Sequence, residues 1–352
     1  MRADFSDLLN IYGEMRSNWY ESGAVNDAFF NRVGTNVLLS GDAGTNWSSI
    51  YTTINSANLI LKHTPEISFT NEATRNEVMA NAYFLRAYCY FTLVRVFGDC
   101  PLLTSGFESE KQEDMYPSRT AASEVYAQVE TDIEEALRLM PASSKLLHKA
   151  SPAAINMLRT EYYLWKAKRL GGGNAALSTA QSSVDAVLKA GYALLPTFAD
   201  IFNLNNEANS ELIWTLPYIV NENVTPGTSP NFFAYYLAPN GDRTRLREAG
   251  YTEDEVPAGS HAQYVVPTQA YCDFLAEDAR DTRTYVSVRV FEDKFLTEEV
   301  QIKRMVVKFK GSFANDTRSF DSDVPVYRLA EAYLLKAEVE NALGNTDAAL
   351  QN

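Results

Sequence analysis

Apolar positions recur every three or four residues through most of the first 195 positions, lose that rhythm between 196 and 324, and regain it from 325 to the end. The densest run is Met79–Phe97, where only Asn81, Arg86, Thr92 and Arg95 are polar and not aromatic. Tyr83, Ala87, Tyr90, Val94 and Phe97 fall at helical spacing, and Phe84, Tyr88 and Phe91 fill an adjacent face. A helix apolar on nearly all sides is one surrounded by neighbours. Its Arg and Tyr content is too high for a membrane span. Gly98, in a left-handed C′ conformation, and Pro101 are expected to stop it. At about 100° per residue Arg86 points away from the side shared by Asn81, Thr92 and Arg95. A buried charge needs a carboxylate or several carbonyls. Arg86, Gly98 and Asp99 are therefore expected to be structural, Arg86 through an ion pair.

Similar patterns place further helices. Residues 1–16 carry a short amphipathic pattern. Asn46 or Thr45 is expected to cap a helix from Trp47 to about His63, stopped by Pro65, and Asn71 or Thr70 leads into the central helix. Val125, Val129, Ile133, Ala136 and Met140 mark a helix capped by Ser118 or Thr120 and followed by Pro141. Residues 152–195 form a helical hairpin turning at Gly171-Gly172-Gly173-Asn174, with small residues at close-contact positions, as in a tetratricopeptide unit. A further such unit begins at 325 and turns at Leu343-Gly344-Asn345. Residues 17–46 break the pattern while bearing Trp19, Tyr20, Phe29 and Phe30, an irregular aromatic loop expected to be functional. Prolines recur from 217 to 267, and β-prone runs appear at 211–216, 285–291 and 306–309. The resulting division is a single domain, 1–352. It has an N-terminal helix and loop (1–46), a helical repeat scaffold (47–195), an irregular insertion with a few short strands (196–324) and the start of another repeat (325–352). The fold class is mainly α.

Composition narrows the function. The chain has 352 residues and a net charge of −14, which excludes the phosphate neutralisation on which nucleic-acid binding rests. Its three cysteines show no metal-ligand spacing. The first residues form no apolar leader and no lipobox cysteine, and the last helical pattern ends without a stop signal, so the chain reads as a fragment at both ends. No GxSxG, HExxH or phosphate-loop motif occurs. The histidines at 63, 148 and 261 fall in separate segments, and Asp321-Ser322-Asp323 lacks the rest of a calcium loop. No catalytic residue, metal or cofactor is assigned.

Two aromatic groups remain as candidate ligand sites. One is Arg16, Asn18, Trp19 and Tyr20; the other is Tyr218, Asn231, Tyr235 and Tyr236, beside Phe232-Phe233. Sugar rings present C–H faces that stack on aromatic planes, while Asn and Arg bind hydroxyls. Peptides can use the same groups.

Ala82-Tyr83-Phe84-Leu85-Arg86-Ala87-Tyr88, then Tyr90-Phe91, Leu93-Val94-Arg95, Phe97-Gly98-Asp99 and Pro101-Leu102, resemble the signature helix of the SusD/RagB family. The runs 47–58, 120–141, 152–195, 264–283 and 325–344 add to the resemblance. It implies a tetratricopeptide-like α-α superhelix carrying a variable insertion. It also implies a surface-exposed outer-membrane lipoprotein, anchored by a lipid outside this chain, that captures a glycan for a SusC-like TonB-dependent transporter without catalysis. A peptide-capturing member of the same family is the alternative. Taken without the resemblance, the repeats also fit an intracellular tetratricopeptide adaptor for a protein tail.

Overall fold

The computed structural model describes residues 11–23, 28–109, 116–219, 243–258, 263–293 and 301–352. The chain divides into two compact units. One comprises 47–194, 210–215 and 325–352; the other comprises 1–46, 195–209 and 216–324.

The first unit is a stack of helices, each packed on the next: Ser48–His63, Glu72–Phe97, Ala122–Leu139, Pro152–Arg169, Gly173–Leu188, Leu329–Ala342 and Thr346–Gln351. With the few short strands of the chain, this is a mainly α, tetratricopeptide-like architecture. The central helix begins at Asn71, whose side chain accepts the Ala73 N–H, and runs unbroken to Phe97. Phe84, Tyr90, Phe91 and Leu93 are fully buried in it. Gly98 has φ 69° and ψ −130°. Its φ is positive as expected, but its ψ lies outside the left-handed helical basin, in a region open essentially to Gly.

Arg86 meets Asp132 in a two-point fork, Nε to Oδ2 and Nη2 to Oδ1, both 2.7 Å. Its Nη1 donates to Asn58 Oδ1 at 2.7 Å, and Asn58 in turn donates to the carbonyls of Leu103 and Ser105. One buried cation thus ties two neighbouring helices and the exit loop of its own helix. Trp214 stands edge-on to Phe84 and Tyr88 at 4.8 and 5.1 Å. It belongs to the buried strand Leu212–Leu216, which pairs with Val324–Arg328.

Several expected caps differ. The helix from Ser48 has Trp47 at its N-cap with no side-chain capping bond; Thr45 instead donates to the carbonyls of Ser40 and Asp42. Neither Ser118 nor Thr120 caps the helix from Ala122. Asp99, from the exit of the central helix, accepts the Ala122 N–H at 2.8 Å. A cap from a distant residue leaves no local sequence signal.

The second unit is less irregular than the sequence implies. Tyr20–Ser22 is a strand, antiparallel to Val265–Pro267, and Ala28–Gly34 is a helix holding Phe29 and Phe30. Val288–Asp293 pairs with Gln301–Val306, so the second strand ends where the 306–309 run begins. Ser312–Ala314 and Thr317–Ser319 form a hairpin whose two turn residues, Asn315 and Asp316, both have positive φ. This is the primed turn that matches strand twist. Of the expected 1–16 helix, the described part holds Ile11-Tyr12 and a 3-10 turn, Glu14–Arg16.

Candidate functional site

Trp19 is placed by backbone pairing. Tyr20 opposes Pro267 in the short antiparallel ladder, the Thr268 N–H donates to the Trp19 carbonyl at 2.8 Å, and the Gly23 N–H donates to the Tyr264 carbonyl at 2.8 Å. Thr268 then turns to cap the helix Gln269–Ala276, its hydroxyl accepting the Tyr271 N–H. On that helix Tyr271 and Phe274 are three residues apart and share a face. The Trp19 ring lies 5.0 Å from Tyr271 and 5.4 Å from Phe274, nearly parallel to the latter at 29°. Tyr20 adds a fourth ring, 5.9 Å from Tyr271, with its hydroxyl donating to Glu14. Trp19 is 39% exposed and Phe274 53%. Of the four tryptophans Trp19 is the exposed one; Trp47 and Trp165 are half-buried and Trp214 is buried. Exposed aromatic rings held in register are costly to leave in water unless something stacks on them.

The platform opens onto a shallow pocket of about 760 Å³ lined by Phe274, Glu277, Asp278, Arg280, Asp281 and Arg283. Asp278-Ala-Arg280 and Asp281-Thr-Arg283 make the same local clamp. Each Asp accepts the backbone N–H of the Arg two residues on, and also its Nε and Nη2. The Arg283 guanidinium holds the Asp281 carboxyl down at about 2. Asp278 is likewise lowered by Arg280. Carboxylates so held are poor proton donors, whereas a glycosidase needs one carboxyl raised as its acid. The pocket offers fixed donors and acceptors beside apolar ring faces, which suits binding of a hydroxyl-rich ligand.

The expected residues do not all meet here. Trp19 and Tyr20 form the platform. Arg16 turns to Asn36, its Nε 2.5 Å from Oδ1, and Asn18 reaches Thr268 through its carbonyl. Tyr218 is 3% exposed, and its N–H donates to Asp323. It lines a separate cavity and presents no open ring face. Asn231, Tyr235, Tyr236 and the neighbouring Phe232-Phe233 lie outside the described residues. Tyr271, Phe274, Arg280 and Arg283 are the residues that reading the sequence did not assign to the site. The i, i+3 aromatic pair and the repeated Asp-x-Arg were the available signals.

Among the described residues no group of three or more His, Cys, Asp or Glu is placed to hold a metal ion. No helix among them is long and apolar enough to cross a membrane. Asp321 accepts from the Ser312 N–H and hydroxyl.

Comparison with known proteins agrees with this architecture. A family model described as "Starch-binding associating with outer membrane" matches residues 5–163, and one described as "SusD family" matches 291–352. The chain is similar to the SusD/RagB family across these two segments. SusD-like protein P25 of Formosa agariphila is 26% identical over 336 residues, covering 87% of this chain; SusD-like protein P38 of the same organism is 28% identical over 330. The chain spans 60% of the length of each of these relatives. A SusD superfamily protein from Bacteroides vulgatus superposes with a TM-score of 0.83 at 26% identity, covering 98% of this chain and 74% of that one. NanU of B. fragilis gives 0.82 at 25%, covering 97% and 72%.

Proposed function

We propose that the protein captures a glycan on the Trp19–Phe274 platform and delivers it to a SusC-like TonB-dependent transporter, as a lipid-anchored protein of the outer-membrane surface. The observation that carries the glycan reading is the near-parallel, exposed pair of Trp19 and Phe274, flanked by self-paired Asp and Arg side chains. Stacking of sugar C–H faces on such rings needs no charge on the ligand. The clamped Asp278–Arg280 and Asp281–Arg283 pairs supply both donors and acceptors to hydroxyls. Similarity to the family supports the same direction.

The test is native affinity electrophoresis against starch, xylan, laminarin, galactan, pectin and alginate, with Trp19→Ala and Phe274→Ala run beside the parent. Retardation by one polysaccharide, lost in both variants, is the expected result. Retardation that both variants retain would move the site elsewhere. Silence with every polysaccharide, together with calorimetric heat from an oligopeptide mixture, would replace the glycan by a peptide. Delivery is tested by co-purification of the membrane-anchored protein with a TonB-dependent barrel from outer membranes.

A further inference from the structure

We propose that Arg304 is a positioning residue for the aromatic platform: through Glu21 it holds the strand that carries Tyr20, and with it Trp19, closed on Val265–Pro267, from a third segment that supplies no ring. Its consequence for ligand binding rests on the glycan reading above; the tie itself does not.

All the residues concerned belong to the second unit. Its two ring-bearing segments meet through a ladder of only three pairs, Tyr20 with Pro267, Glu21 with Val266 and Ser22 with Val265. A two-stranded pairing so short is marginal in water and needs support from its flanks. Arg304 supplies that support from the strand Gln301–Val306, which packs on Val265–Pro267. Its Nη2 donates to Glu21 Oε1 at 2.7 Å, and the Arg304 side chain is 20% exposed. Its main-chain carbonyl accepts from Gln263 Nε2 at 3.0 Å. Gln263 is buried, and its own carbonyl oxygen is the atom that leaves no room for a Cβ on Gly23. One residue therefore grips Glu21 by its side chain and, by its carbonyl, the stretch of chain on which Gly23 closes. Burial raises the thiol of Cys272, on the platform helix, and the Arg304 charge opposes that rise, so its field reaches the helix that presents Tyr271 and Phe274.

An ion pair with one partner half in water adds little to global stability. This one acts locally. It joins positions 283 apart in the chain and biases the closed ladder over the open one. Trp19 rides on that equilibrium, because its carbonyl accepts the Thr268 N–H at the end of the same ladder. A ligand that needs the rings together binds in proportion to the closed fraction. Arg304 does not line the platform pocket, so its removal takes no contact from a ligand there. The Glu21 contact is a single N–H to Oε1 bond, which a lysine ammonium can also make.

The experiment is amide hydrogen exchange, read by mass spectrometry on the unliganded full chain, for the parent, Arg304→Met, Glu21→Gln and Arg304→Lys. Segments 19–23 and 264–268 report the ladder, and 79–97 reports the helical unit. Exchange about two- to fivefold faster in both ladder segments is expected for Arg304→Met and Glu21→Gln, with 79–97 unchanged and Arg304→Lys close to the parent. The polysaccharide that retards the parent should then be held more weakly by the first two variants, by a similar factor, and normally by the lysine variant. Parent-like exchange in the ladder of Arg304→Met overturns the proposal. Faster exchange that extends to 79–97 overturns it too, since Arg304 would then serve general stability. A loosened ladder with undiminished retention shows that the tie does not position the platform, and equally overturns it. If no polysaccharide retards the parent, the glycan reading fails, while the exchange rates still decide whether Arg304 holds the ladder closed.

Discussion

Removing either partner of the Arg86–Asp132 pair is expected to cost far more than removing both. Asp132 is 0% exposed and Arg86 5%. In Arg86→Met, Asp132 keeps only the Gln128 amide, 2.8 Å from Oδ1, and loses two charge-assisted bonds. A buried charge deprived of its partner costs about 3–5 kcal/mol. Asp132→Leu leaves the guanidinium with Asn58 Oδ1 at 2.7 Å and the Thr104 carbonyl at 3.5 Å, a comparable loss. The double variant removes both charges. Its chief remaining defect is Asn58 Oδ1 without its donor, worth about 1–3 kcal/mol. Lost packing of Arg86 over Tyr83 adds a smaller amount. The double should therefore be less destabilised than either single variant, with a coupling of several kcal/mol. Urea unfolding followed by far-UV circular dichroism measures all four proteins, with the slope checked for constancy. Single variants within about 1 kcal/mol of the parent, or losses that simply add, would refute the account of a buried pair that depends on mutual neutralisation.

Other expectations follow from single features. Glu331 has its carboxyl raised to about 8 by burial and by the charge of Glu161. Between its ordinary value of 4.5 and about 8 the unfolded chain releases a proton that the fold retains, so stability falls as pH rises through that window. Glu331→Gln should flatten thermal melting temperature across pH 5 to 8, and parallel curves for variant and parent would remove Glu331 as the cause. A Cβ at Gly23 would lie 2.3 Å from the Gln263 carbonyl oxygen. Gly23→Ala should thus loosen the Tyr20–Ser22 pairing, at about 1–3 kcal/mol, and weaken glycan retention without touching a ring; unchanged retention would mean that this ladder does not position Trp19. Binding of a neutral glycan should vary little with salt, because Arg280 and Arg283 are already held by carboxylates; a steep fall in affinity between low and high salt would point to an anionic ligand.

The helical unit was legible because its packing is periodic. Met79–Phe97 announces a surrounded helix by confining its few polar residues, Asn81, Thr92 and Arg95, to one side, and Arg86 announces a partner by standing away from that side. The identity of that partner was not legible. Asp132 lies 46 positions away on another amphipathic helix, where an acidic residue at helical spacing looks like ordinary solvent exposure. The Asp99 cap escaped for the same reason: the bond crosses 23 positions and replaces the local Ser and Thr signals. In the second unit the elements are too short for periodicity to register. Tyr20–Ser22 has three residues, and its strand character comes entirely from Val265–Pro267, more than two hundred positions later. The hairpin turning at Asn315-Asp316 has only three residues on each side and gave no readable alternation.

That long-range pairing also explains why half of the candidate site could be read and half could not. Trp19 drew notice as an aromatic residue between Asn and Tyr in a loop, yet a single exposed ring makes a weak and mobile contact. What converts it into a platform is the registration of Tyr20 with Pro267, which delivers the Trp19 carbonyl to the Thr268 N–H at the start of the helix bearing Tyr271 and Phe274. Three rings from two distant segments are then oriented by main-chain bonds, whose geometry does not depend on what the side chains touch. A ligand that stacks there has less side-chain entropy to remove, since the rings already pack on one another. Because that preorganisation lies in the backbone, other aromatic residues in place of Trp19 and Phe274 should keep the scaffold, and on the proposed glycan reading ring identity would set which sugar face is preferred.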